Sequence, residues 1–148
     1  MNEEEITFGM LKPEALERML IGDIYNRIEF AGLKIEQRVK KKLSEKEFKA
    51  IYGHTEETVP TIYQKLKVYL TTNEVVLLKI VGIDAIKKLL NLRGASNPSK
   101  AKKGSIRGDY AYDQGYEQVY KSGNISLNVF HAADSKEEAE KMINLFFS

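Results

Sequence analysis

The chain opens with an apolar run, Ile6 to Leu11, that reads as a strand. Pro13 then stands where a helix favours its first residue, with Glu14 in the first turn. Gly22 punctuates the chain. Ile24, Tyr25, Ile28 and Ala31 follow at helical spacing, and Gly32 is placed to close that helix. Leu33 to Leu43 alternates in part, as a strand with one wet face does. Ser44-Glu45-Lys46-Glu47 is a capping box opening another helix, and Pro60 to Leu70 is helical again. Val75 to Val81 is apolar except at Lys79, which predicts a central strand buried on both faces. Ile83 to Leu92 predicts a helix. Ile125 to Phe130 predicts a last strand. Ser135-Lys136-Glu137-Glu138 is a second capping box, before a helix striped by Ala139, Met142, Ile143 and Phe146.

The order is strand, helix, strand, helices, strand, helix, strand, helix. A four-stranded antiparallel sheet with helices on one face satisfies it, and the ferredoxin-like α+β sandwich is the first candidate. No linker or internal repeat divides the chain, so residues 1–148 are expected to form one domain. The stretch from Gly94 to Asn124 breaks the pattern. It carries five glycines and Pro98, and an irregular segment of that length in a compact domain points to function.

Composition narrows the classes. A hydrophobic share of 43% and a charged share of 30% suit a soluble globular domain. The absence of cysteine removes disulfide and thiolate chemistry, including thiolate metal sites. Met1-Asn2-Glu3-Glu4-Glu5 is acidic and lacks a signal peptide's basic and apolar regions, and no apolar run could span a bilayer. A cytoplasmic location without a membrane partner is the expectation. The formal net charge of +2 is too small to argue for nucleic-acid binding. Lysines do cluster, at Lys40 to Lys42 and at Lys100, Lys102 and Lys103; the second group lies beside candidate phosphate-binding residues.

Two histidines, His54 and His131, make a poor metal site in a chain without cysteine, so no protein metal centre is expected. His131 lies between the predicted last strand and a capped helix, where a ring is held firmly yet can face a cleft. A partly buried structural histidine and a nucleophile or general base both fit that position. Three cations could complete a phosphate site. Lys12 precedes a proline-started helix whose exposed N–H groups favour anions. Arg107 lies in Gly104-Ser105-Ile106-Arg107-Gly108-Asp109, where glycines admit close backbone approach and a guanidinium can grip phosphate oxygens bidentately. Arg93 stands just before Gly94. Arg107-Gly108-Asp109 also spells a cell-adhesion tripeptide, which we read as accidental.

These residues resemble nucleoside diphosphate kinases over nearly the whole chain. Thr7-Phe8-Gly9-Met10-Leu11-Lys12-Pro13-Glu14 is similar to that family's opening strand, and Arg18, Gly22, Arg27 and Glu29 continue the match. Asn97-Pro98 followed by Gly104-Ser105-Ile106-Arg107-Gly108-Asp109 is the most specific segment, and Asn128-Val129-Phe130-His131 matches the active-site asparagine-x-x-histidine. Asp134-Ser135 and Glu137-Glu138-Ala139-Glu140 match the helix that follows. The resemblance implies a ping-pong transfer of the terminal phosphate of ATP or another nucleoside triphosphate to a nucleoside diphosphate, through a phosphohistidine on His131. It implies that Lys12, Arg107 and Asn128 hold phosphates and ribose, that Tyr52 supports the site, and that Ser96 stands for a phosphate-contacting threonine. It also implies magnesium carried by the nucleotide's phosphates, and assembly as a homo-oligomer, a hexamer or less often a tetramer.

The pattern breaks in places. Ala133 stands where the family usually has a serine, and Met142 where a glutamate normally supports the imidazole. Leu90 takes the place of a phosphate-binding arginine, with Arg93 one turn later. After Pro60, Thr61 and Ile62 replace the stacking aromatic, and Tyr63 is displaced from that position. The segment from Tyr110 to Leu127 is longer than in common members. Activity reduced by these changes is one expectation. A family member that binds nucleotides or partners without turnover, and a regulatory or RNA-binding domain sharing only the layered fold, remain alternatives.

Overall fold

A computed structural model of the chain describes residues 3–56, 60–111 and 124–148. The strands are β1 (Glu4–Leu11), β2 (Lys34–Lys41), β3 (Val75–Ile83) and β4 (Phe130–Ala132). The helices are α1 (Pro13–Glu17), α2 (Ile21–Phe30), α3 (Glu45–Tyr52), α4 (Pro60–Thr72), α5 (Ala85–Arg93), α6 (Ile106–Tyr110) and α7 (Lys136–Phe147). Short 3-10 turns lie at Gly53–Thr55 and Pro98–Lys100.

The four strands form one sheet in the order β2-β3-β1-β4, with every pairing antiparallel. This is the ferredoxin-like order. The strands alternate their side chains between two faces, and both faces are covered rather than one. Leu11, Val76, Leu78 and Ile80 bury against α2 and α5, while Phe8, Met10, Val75 and Leu77 bury against α3, α4 and α7. The burial of β3 from Val75 to Leu78 and at Ile80 is the consequence: with helices on both sides, that part of the central strand is shielded on either face, while its end at Ile83 opens to water.

Local chemistry sets the element ends. Ser44 and Glu47 form a full capping box at α3, with Glu47 N–H to Ser44 Oγ at 3.1 Å and Ser44 N–H to Glu47 Oε1 at 2.8 Å. At α7 the box is half made. Ser135 Oγ accepts from Glu138 N–H at 3.1 Å, but the Glu138 carboxylate accepts from Asp134 N–H at 2.9 Å instead of from Ser135. Gly22 does not punctuate; it lies in the first turn of α2, and the break falls at Met19, whose φ is +59°. Gly32, at φ +86°, ends that helix as expected.

The predicted strand from Ile125 to Phe130 is displaced. Residues 124–128 have no regular structure, and β4 begins only at Phe130, so His131 lies within the strand instead of beyond it. Val129 takes φ +77° and Phe130 N–H closes back onto Asn128 C=O at 2.9 Å. That is the strained form of the γ-turn, rare for a β-branched residue. Gly94 to Asn124 is also less irregular than the glycines suggest, since it contains α6; residues 112–123 lie outside the described residues.

Candidate active site

His131 pairs with Met10 across the β1–β4 ladder and so shares the face of Phe8 and Met10. Phe8 meets the imidazole edge-on with ring centres 6.5 Å apart, and Tyr52, at the end of α3, tilts over it at 5.4 Å. Only 12% of the His131 side chain is exposed. Its Nε2 is cut off from solvent and has no hydrogen-bond partner among the described residues. Glu138 Oε1 faces that nitrogen at 3.6 Å, close enough to pair with a charged ring and just too long for a formed hydrogen bond. Burial pushes the imidazole pKa below its usual 6.5, Arg107 adds to the fall, and Glu138 and Asp134 oppose it without reversing it. The ring is therefore mainly neutral at neutral pH, the state in which it can act as a nucleophile.

Buried cations line the same cleft as the ring. Lys12, 3% exposed, donates from Nζ to Ser126 C=O at 3.0 Å and to Asn128 Oδ1 at 3.1 Å. Its ammonium lies 3.8 Å from Glu14. Burial lowers the Lys12 pKa, with Glu14 opposing and Arg107 assisting the fall. Glu14 is also the brace of the strained turn. It accepts from Val129 N–H at 3.0 Å and from Tyr69 Oη at 2.9 Å, while Lys12 N–H donates to Val129 C=O at 2.9 Å. The turn that delivers His131 to β4 is thus clamped from β1 and α1.

Arg107, 5% exposed, directs Nε and one terminal nitrogen to the carbonyl of Phe130, at 3.1 and 2.7 Å, and the other terminal nitrogen to Ser96 C=O at 3.0 Å. Its fork grips backbone next to His131. Arg93 ends α5 at 7% exposure and donates to Gly94 C=O at 3.0 Å, Ser96 Oγ at 3.2 Å and Asp134 Oδ1 at 3.2 Å. The adhesion tripeptide is accounted for: Arg107 is internal, and Asp109 is tied to Arg27 at 2.7 Å and to Gly104 N–H at 2.8 Å.

One cleft of about 670 Å³ brings His131, Lys12, Tyr52, Arg93, Ser96, Arg107 and Asn128 together, so every candidate from the sequence lines it. Tyr63 also borders it but is 4% exposed and packs on Phe48 with ring centres 5.1 Å apart, a core position rather than an open stacking platform. Ala133 and Met142 are fully buried in the apolar cluster below the ring. His54 lies on the rim beside Lys141. Among the described residues, no three His, Asp or Glu side chains gather to hold a metal.

Sequence reasoning missed three carboxylates. Glu14 was legible as an acidic first-turn residue, but its role in bracing Val129 spans 115 positions along the chain and no local pattern reports it. Asp134, the partner of Arg93, and Glu138, the group facing His131, were legible only as parts of a helix start. The four-residue step from Glu138 to Met142, which places both on one helical face, was the available signal.

Comparison with known proteins agrees over the full length. The family model for nucleoside diphosphate kinase matches residues 5–148. A nucleoside diphosphate kinase of Methanosphaera stadtmanae is 38% identical over 141 residues, covering 95% of this chain and 84% of that one. The fold superimposes on a transition-state mimic of the Borrelia burgdorferi nucleoside-diphosphate kinase with bound vanadate and ADP. That match has a TM-score of 0.89 and 26% identity, over 98% of this chain and 88% of the other. A halophilic nucleoside diphosphate kinase from Halobacterium salinarum in complex with CDP gives a TM-score of 0.82 at 32% identity, over 99% and 89%.

Proposed function

This chain belongs to the nucleoside diphosphate kinase family, and from that premise we propose that His131 carries a phosphoryl group between nucleotides in two steps. In the first, a ring nitrogen of His131 attacks the γ-phosphorus of a nucleoside triphosphate. The N–P bond forms, the bond to the β–γ bridging oxygen breaks, and the diphosphate leaves. In the second, a terminal oxygen of another nucleoside diphosphate attacks the same phosphorus, and the N–P bond breaks to restore the neutral ring. Nδ1 is the attacking atom, because Nε2 is sealed against Glu138.

One observation carries this reading: a mostly buried, neutral-leaning imidazole shares a cleft with Lys12, Arg93 and Arg107. Transfer between polyanions needs positive charge fixed where the phosphates lie, and low exposure strengthens each interaction. Lys12 steadies the transferring phosphate with its ammonium. Arg107 works at the same place while holding the backbone beside His131. Arg93, one turn beyond Leu90, meets the remaining phosphates together with Ser96. Asn128 contacts the ribose or a phosphate, and Tyr52 limits the ring's rotation.

Magnesium fits as part of the incoming nucleotide. The cleft presents cations to the phosphates, and the phosphates would supply the metal's ligands. When bound, it neutralises phosphate charge and holds the chain of oxygens in line. The chain acts in the cytoplasm; among its described residues no helix is long and apolar enough to cross a membrane. It assembles with copies of itself, as a hexamer or tetramer.

The test is labelling with γ-labelled ATP and magnesium. The parent protein should become phosphorylated, with the acid lability and base stability of phosphohistidine, and should pass the label to a diphosphate. His131→Ala should take up none. A folded parent sample that incorporates no label removes the proposal and favours the reading without turnover that Ala133 and Met142 motivate.

A further inference from the structure

Met142 stands where a supporting glutamate would be sought, and it supplies no charge: it is fully buried among Phe8, Met10 and Ala139. A carboxylate nevertheless reaches the ring from one turn earlier. We infer that Glu138 is the positioning carboxylate of His131, entering from the helix start and doubling as the clasp of the loop that joins β4 to α7. The inference rests on His131 being the nucleophile.

The two oxygens of Glu138 have separate tasks. Oε2 accepts from Asp134 N–H at 2.9 Å, and the residue's own N–H is held by Ser135 Oγ at 3.1 Å. These bonds fix the side chain, so Oε1 is presented to His131 Nε2 at 3.6 Å with little left to order. Among the described residues Nε2 is otherwise a buried nitrogen without a partner. A carboxylate beside a ring nitrogen favours the tautomer that carries the proton there. With the proton on Nε2, the lone pair is on Nδ1, facing the phosphate. As the N–P bond forms the ring gains positive charge, and the 3.6 Å gap is short enough to close into a charge-assisted hydrogen bond.

Other groups around the ring do not replace this one. Tyr52 from α3 and Phe8 from β1 offer ring faces and edges. Arg107 from α6 disfavours a charged ring, and Asp134, which favours one, is committed to Arg93 at 3.2 Å. Lys12 and Glu14, from the start of α1, pair with each other, and His54 on the rim acts on Glu138 itself. Glu138 is pushed up by burial, yet the imidazole and the Asp134 N–H together hold its carboxyl below the usual range, so it is ionised while the ring is neutral.

Glu138→Gln separates the two tasks. The amide oxygen still accepts from Asp134 N–H, and the amide NH2 then points at Nε2 and drives the proton to Nδ1. Nitrogen NMR of the His131 ring, recorded without nucleotide, should change from the Nε2–H form to the Nδ1–H form. The rate of phosphorylation by ATP should fall by at least about 100-fold, toward the roughly 10⁴-fold that a wrongly protonated catalytic histidine costs elsewhere. Glu138→Ala should fall at least ~10-fold, and the acid limb of its rate profile should move to lower pH because the ring loses a neighbouring negative charge. Glu140→Gln removes an exposed charge from the same helix and should match the parent throughout. Glu138→Gln with an unchanged tautomer overturns the inference, whether its rate is preserved or falls only in step with its melting temperature. If Glu138→Ala does not fold, Glu138→Gln decides alone. A parent protein that takes up no phosphate defeats the functional reading, and the tautomer result still stands apart from it.

Discussion

At the scale of single residues, the site is a set of charged groups held away from water by specific partners. His131 shows what that does to titration. Burial, and secondarily Arg107, hold its pKa in the folded chain below 6.5. Above that pH the ring is neutral in both folded and unfolded chains and adds no pH dependence. As pH falls through 6.5, the unfolded chain takes up a proton that the folded one resists, so stability declines until the folded pKa is passed. Urea midpoints measured near about pH 7.5 and about pH 5.5 should therefore differ more for the parent than for His131→Gln. The Glu138 carboxyl, lowered in the folded state, loses its contribution only at more acidic pH and leaves that window to the histidine. An equal pH slope in both proteins would contradict the burial of the ring.

Between residue and domain, elements deliver the site, and α6 is the tightest example. Ser105 Oγ accepts from Gly108 N–H at 3.0 Å and starts the helix, which seats Arg107 with its fork on the Phe130 carbonyl. A Cβ at Gly108 would lie 1.8 Å from Lys102 C=O, backbone that no side-chain rotation can move. Gly108→Ala should therefore cost ~2 kcal/mol or more, since it forces a backbone shift in a packed region. It should also slow phosphorylation, because Arg107 moves with the helix. Denaturant unfolding and the labelling rate check the two parts. An unchanged midpoint would mean the loop yields without strain. The γ-turn at Val129 is a second such device, held by Glu14 and Lys12 from a distant part of the chain.

For the whole molecule, a few large apolar side chains stand exposed near one edge of the sheet. β2 is an edge strand paired only with β3 among the described residues, and its exposed side chains are mostly charged, with Val39 the apolar exception. Phe30, at the end of the helix packed against it, is 95% exposed, and Met19 is 88% exposed. A free phenyl ring in water is unfavourable, and a second copy of the chain is the covering we propose. Phe30→Asp should lower the mass found by sedimentation velocity while leaving the helical circular dichroism intact. Unchanged mass would take this residue out of the interface.

Periodicity and capping chemistry, which are local, made the strand and helix order legible from the sequence, and with it the antiparallel ferredoxin-like sheet. Position and residue type singled out His131, Lys12, Arg93 and Arg107, the family resemblance added Tyr52, Ser96 and Asn128, and the fold gathers all seven in one cleft. What local patterns could not report depends on partners far apart in the chain. The displacement of β4 follows from the clamp of Glu14 on Val129, the doubly covered sheet from which helices pack on which face, and the burial of Tyr63 from its seat on Phe48. The carboxylate at His131 is the sharpest case. The sequence displays Met142 and Glu138 as a core residue and a helix cap, and only the approach of α7 to β4 turns the cap toward the ring. Residue type settles what a side chain can do; tertiary distance settles what it meets.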